Sequence, residues 1–125
     1  AGAHLSYMCD AGFGLHFLAH WVRDTGHFSL TEGIRKLTSE PAQRFRIPER
    51  GRLVEGAPAD LLLFDPATVG ISKPIPRQDL PGGGTRMVRE SRGVHGVWVN
   101  GQRLADRNGL LPQVPLAGVL LTEFD

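Results

Sequence analysis

Cysteine is nearly absent from this 125-residue chain. Cys9 stands alone, so no internal disulfide can form, and a reducing, cytoplasmic setting is the expectation. An excess of charge of one sign is lacking too. Fourteen Lys and Arg against thirteen Asp and Glu leave a net charge of +1, too little to draw nucleic acid or an anionic membrane surface, and aromatic residues make up only 7%. No apolar run is long enough to span a bilayer; the stretch from Leu110 to Leu121 is short and broken by Pro112 and Pro115. No basic start precedes an apolar stretch at the amino terminus, so no signal peptide is read there. At 41% hydrophobic residues the chain has material for the core of one ordinary domain, and its length excludes a multi-domain machine.

Glycine and proline, sixteen and nine in number, are what the chain has in quantity, and they divide it. Phe13, Phe17, Leu18, Trp21 and Val22 recur at the spacing of one face of a helix, which Gly26 should stop. Ser29 and Glu32 have the spacing of a capping box, opening a second helix with Leu30, Ile34 and Leu37 on its apolar stripe. Pro41 is expected at the first position of a third short helix through Ala42 and Phe45. Past Pro48 the pattern turns to strands. Leu61 to Phe64 is a continuous apolar run, expected as a strand buried on both faces. Asn100-Gly101 joins Val94–Val99 to Gln102–Leu104 with the residues a tight hairpin turn requires. Arg52 to Glu55 is read as a further strand, and residues 71–90, rich in Pro and Gly, as a long irregular excursion. The fold class expected is α+β, a helical amino-terminal half followed by strands.

Each chemically suggestive residue has a plain counterpart. His16 and His20 stand four apart, a spacing that can bring two imidazoles to one metal, but no H-E-x-x-H pattern surrounds them and ordinary helix-face roles are favoured. Adding Cys9 and His4 gives only an irregular ligand set. Gly82-Gly83-Gly84 lacks the flanking strand and helix of a phosphate loop and is read as a turn. Arg86, Arg89 and Arg92 form a solvated face, and Asp60 and Asp65 serve at strand ends and turns. Cys9 has no neighbouring base to activate it.

The opening Ala1-Gly2-Ala3-His4, the stretch FSLTEGIRKLTSEPAQRF, the segment GRLVEGAPADLLLFDP from Gly51 to Pro66, and GVHGVWVNGQRLADRNG from Gly93 to Gly109 occur in that order along most of the chain. Together they resemble the carboxyl-terminal part of metal-dependent amidohydrolases, specifically the N-acyl-D-amino-acid deacylase (D-aminoacylase) group. The resemblance implies that residues 1–46 are the end of a (β/α)8 catalytic barrel with its last helices, and that residues 47–125 belong to the small β-sandwich beside it. It implies a zinc-dependent parent enzyme that hydrolyses the amide of N-acyl-D-amino acids. In that group a segment S-D-x-G-x-H ends the last barrel strand and its Asp is the acid/base; here that Asp would stand just before Ala1. His4 would then orient the Asp or approach substrate, or else bond backbone at the strand end. Ser6 and Tyr7 would lie in the loop over the site and are the substrate-binding candidates. LSYMCDAGFG departs from the longer His/Pro-rich loop of better-known members, which leaves specificity open. No metal ligand falls on this chain in that scheme, so the chain alone is expected to hold no zinc and to be inactive. Its expected partners are the remaining amino-terminal portion of the enzyme or another copy of itself, and for the parent a small N-acyl amino acid. Two other readings stand beside this one: a cyclic-amidase or deaminase type of amidohydrolase, since ADLLLFD and VNG occur there too, and a stand-alone β-rich assembly module.

Overall fold

The computed structural model describes residues 11–122, so His4, Ser6, Tyr7 and Cys9 lie outside the described residues. The first helix, α1, begins as an α-helical turn, Phe13–His16, and runs into a π-helical stretch, Phe17–Asp24. The wider turn is visible at its end, where the Thr25 N–H donates to the His20 carbonyl five residues back at 2.9 Å. Gly26, at φ 63°, follows the helix where a stop was expected. Helix α2, Leu30–Leu37, opens with the predicted box: the Ser29 hydroxyl accepts from the Glu32 N–H at 3.3 Å, and the Glu32 carboxylate accepts from the Ser29 N–H at 2.9 Å. Helix α3, Ser39–Arg44, starts two residues before Pro41. The proline therefore occupies the third helical position and not the first. First-turn N–H groups have no intrahelical partner, so its ring removes no hydrogen bond there.

The strands are β1 Leu61–Phe64, β2 Gly70–Ile71, β3 Ile75–Arg77, β4 Arg86–Val88, β5 Ser91–Arg92, β6 Val94–Val99, β7 Gln102–Asp106 and β8 Gly109–Leu110. A four-stranded antiparallel sheet runs in the order β1-β6-β7-β8, with Leu61 opposite Trp98 and Val99 opposite Gln102. Asn100 and Gly101 both take positive φ, 47° and 79°, as a tight two-residue hairpin turn demands. The Gly101 N–H donates to the Ala59 carbonyl at 3.0 Å and the Asn100 N–H to Asp60 Oδ1 at 2.8 Å, so the turn is also tied to the residues that lead into β1.

Three further expectations are corrected. Strand β1 is not buried on both faces: Leu62 is 46% and Leu63 55% exposed, and because neighbouring residues point to opposite sides, both faces are open. Among the described residues it is an edge strand, paired with β6 alone. Arg52 to Glu55 forms no strand. Glu49, Gly51 and Gly56 all sit at positive φ, which bends the backbone out of the extended range, and Leu53 and Val54 are left exposed. Residues 71–90 are not an irregular excursion. β3 and β4 pair as an antiparallel hairpin, Ile75 opposite Val88 and Arg77 opposite Arg86, and β2 pairs with β5 beneath it. The tip of the hairpin is the short 3-10 turn Pro81–Gly83, as the plain reading of the three glycines required.

The composition allows a full core, yet among the described residues the buried apolar side chains are Leu18, Ala42 and Val69. Two of them lie where α1 meets the turn before β2. Large side chains such as Phe13, Leu53, Leu63, Leu116 and Leu120 stay exposed. Among the described residues no helix is long and apolar enough to cross a membrane.

Candidate functional site

The helical and β regions meet along one seam. Gly12, which leads into α1, lies so close to Ile71 that a Cβ on it would overlap the isoleucine methyl. Leu18, 4% exposed, and Val69, 1% exposed, are the apolar residues buried at this seam. Arg23, from the π-helical stretch, donates to the Val69 carbonyl at 2.5 Å and to the Ala67 carbonyl at 3.4 Å, while its Nε pairs with Asp24 at 2.8 Å. Sequence patterning gave no sign of this role, because an arginine on an amphipathic helix reads as a solvent-facing charge. Beside the seam, Leu18, Val22, Phe28, Pro66 and Val69 line an open apolar groove of about 490 Å³.

The turn that Arg23 grips is organised by Asp65. Its carboxylate accepts from the Thr68 hydroxyl at 2.7 Å and from the Ala67 N–H at 2.9 Å, and its own N–H donates to the Gly93 carbonyl at 2.8 Å. The Thr68 hydroxyl first, and then the Ala67 amide, hold the Asp65 carboxyl below the usual carboxylate range. Asp60 accepts from Asn100 and pairs with Arg50 at 2.8 Å. Both acids therefore act at turns and strand ends, as their spacing implied.

Of the arginine cluster, Arg86 makes a two-point contact with Asp79 at 2.6 and 2.8 Å, which lowers the Asp79 carboxyl, and Arg89 donates to the Ser72 carbonyl at 3.2 Å. With Gln78 donating to the Gly83 carbonyl at 2.7 Å, these contacts hold the β3–β4 hairpin in shape. The structure does bring His16 and His20 together. Their rings stack with centroids 5.4 Å apart and planes 11° from parallel, on the exposed side of α1. Among the described residues no group of three or more His, Cys, Asp or Glu side chains is placed to hold a metal ion.

Comparison with known proteins gives this geometry a context. A model of the amidohydrolase family matches residues 5–105. N-acyl-D-aspartate deacylase of Alcaligenes xylosoxydans xylosoxydans is 36% identical over 85 residues, which are 68% of this chain and 15% of that protein. D-aminoacylase of the same organism is 37% identical over 84 residues, 67% of this chain and 16% of that one. The crystal structure of D-aminoacylase described as defining a novel subset of amidohydrolases superposes with a TM-score of 0.63 at 31% identity, over 82% of this chain and 20% of that one. A second D-aminoacylase structure, concerned with the role of its binuclear metal centre, gives the same TM-score at 32% identity. The chain thus spans about a sixth of the length of these curated relatives. With the family model covering well over half of its residues, and with deacylases for relatives, the chain belongs to the amidohydrolase family.

Proposed function

We propose that this chain is the carboxyl-terminal portion of a metal-dependent hydrolase that cleaves the amide of N-acyl-D-amino acids, with zinc as its metal. Residues 1–46 would close the (β/α)8 barrel and residues 47–125 would belong to the small β domain. The observation that carries the reading is the match to deacylases at 36 and 37% identity over about two thirds of this chain, beside a family model that runs from the helices into the sheet, residues 5–105. The sparse core and the uncovered Leu62 and Leu63 support it, because an apolar strand open on both faces is what remains when covering layers belong to other parts of a protein.

The described residues do not fit the relatives' metal centre. They offer no three-ligand cluster, and Asp60 and Asp65 are committed to turns. His4 remains the residue proposed to stand beside the acid/base, with Ser6 and Tyr7 near substrate. The chain alone is inactive in this reading, and its partner is the rest of the enzyme or a second copy of itself. A metal-dependent cyclic amidase or deaminase, or an assembly module, is the outcome if the test below fails.

The test is a graft: this chain replaces the matching segment of D-aminoacylase, and the hybrid and the isolated chain are assayed on N-acetyl-D-glutamate, N-acetyl-D-aspartate and N-acetyl-D-leucine. The hybrid is expected to hydrolyse at least one of them, and the chain alone none above the rate of metal-containing buffer. A folded, metal-loaded hybrid inactive on all three, or turnover by the pure chain, overturns the reading. Light scattering on the isolated chain checks the open edge. Association should weaken when Leu62 and Leu63 are both changed to Lys, since edge charge blocks strand pairing.

A further inference from the structure

We propose that His16 and His20 form a two-imidazole chelate for a borderline divalent cation of the Ni²⁺ or Zn²⁺ type on the outer side of α1. Neutral imidazole is the preferred ligand of such ions, and a site can be built from two of them with water completing the coordination. The ring stack, with centroids 5.4 Å apart and planes 11° from parallel, shows that the helix already holds the two side chains against each other. The frame beneath them is fixed by the His16 N–H donating to the Gly12 carbonyl at 3.0 Å and by the His20 carbonyl accepting from the Thr25 N–H at 2.9 Å. Both residues are exposed, so an ion can reach the pair with most of its water in place. Small rotations about their side-chain bonds, open to solvent, turn one nitrogen of each ring toward a shared ion.

The surroundings restrict His20 and supply a reporter. Its ring stands edge-on to Trp21 at 5.0 Å, and Trp21 in turn meets His27 edge-on at 5.3 Å. Asp24, next along the same side, is engaged by Arg23 at 2.8 Å and does not complete a third ligand position. The site is thus made of nitrogen donors alone, which excludes Mg²⁺ and Ca²⁺, whose preference is for oxygen. The inference does not depend on the deacylase reading.

The experiment is a titration of the purified full chain, stripped of metal, with NiCl₂, followed by calorimetry and by tryptophan emission. One equivalent is expected to bind and to quench Trp21, while Trp98 on β6 gives a constant background. Loss of even a supporting partner of a metal site costs about 10–100-fold in affinity, so His16→Ala and His20→Ala should each weaken binding at least tenfold. His27→Ala should leave the affinity unchanged, and MgCl₂ should produce neither heat nor quenching. The melting temperature of the parent should rise with Ni²⁺ and that of either variant should not, because only the folded helix presents both rings. His16→Gln and His20→Gln serve in their place should an alanine variant fail to fold. Absence of binding to the parent overturns the proposal. So does binding that survives both histidine changes and is removed by His4→Ala or Cys9→Ser, which would place the ion on the amino-terminal segment.

Discussion

The helices and the sheet of this chain are held by contacts of different reach. Between Phe13 and Arg44 the side-chain bonds that hold the helices, as distinct from the Arg23 tie across the seam to the Val69 carbonyl, are short in sequence: Ser29 with Glu32, the Thr38 hydroxyl to the Ile34 carbonyl at 2.7 Å, and Arg35 with Glu40 at 3.2 Å. Between Leu61 and Leu110 short ties such as Asp65 with Thr68 are joined by backbone and side-chain bonds that cross long stretches of chain. Asn100 reaches Asp60 with its backbone and the Ala117 carbonyl with its side-chain amide at 2.6 Å, and Asp65 reaches Gly93. A lost contact in the first region should loosen one turn. In the second it should release several strands together, because each tie closes a long loop.

Gly93 offers the hardest test of that contrast. It sits at φ 65°, and a Cβ there would stand 2.5 Å from the Val69 nitrogen and 2.7 Å from the Thr68 carbonyl carbon, backbone atoms that cannot step aside. Gly93→Val should cost roughly 3 kcal/mol in urea denaturation and remove amide protection from β2, β5 and β6 at once. Loss of protection confined to residues next to Gly93 would erase the distinction between the two regions.

Leu18→Ala probes the seam where they join. The side chain is nearly fully buried between the helix and Val69, so its truncation should cost about 2–3 kcal/mol, read from the urea midpoint. Protection should fall on both sides of the seam. If only α1 is affected, the seam does not couple them.

At the β6–β7 turn the effect should be smaller. Gly101→Val places a branched side chain at φ 79° and should cost about 1–2 kcal/mol, measured as a lower melting temperature. An unchanged melt would mean that the turn tolerates a side chain at this angle.

The smallest effects belong to the cap. Ser29→Ala should cost about 1 kcal/mol and expose only the first turn of α2 to hydrogen exchange. The Ser29 hydroxyl first, and its backbone N–H next, hold the Glu32 carboxyl below its ordinary value of 4.5. A carboxyl lowered in the folded state stabilises fully above its ordinary value and loses that contribution as pH falls through the lowered one. Melting temperatures recorded from neutral pH downward should therefore fall on the acid side, with part of the loss absent in Ser29→Ala.

What the sequence disclosed follows the same divide. The capping box and the Asn-Gly turn are written in adjacent residues, and both are present as read. The β3–β4 hairpin was missed because three-residue strands show no alternation, and its neck is set by Asp79 and Arg86, seven positions apart, whose pairing no periodicity reveals. The exposure of Leu62 and Leu63 was missed because an apolar run says what a strand prefers to touch and not whether that surface is supplied. The His16–His20 spacing was visible, but the stacking of the rings was not. His4, Ser6 and Tyr7 rest on family resemblance alone, and their positions lie outside the described residues.

The π-helical stretch has a meaning in terms of insertion and deletion. A π segment is in effect an α-helix that carries one residue too many, looped out so that the parts before and after it keep their facing. Here the residues whose facing is kept, one near each end of the stretch, are Leu18, turned into the seam, and Arg23, turned onto the Val69 carbonyl. Closing Phe17–Asp24 into an ordinary α-helix at full length would carry Arg23 about 100° around the axis, off its acceptors. Deleting a single residue between them, Ala19 for instance, would let the helix close with Leu18 and Arg23 both still in place, so this is a position where the chain can lose a residue and keep its join.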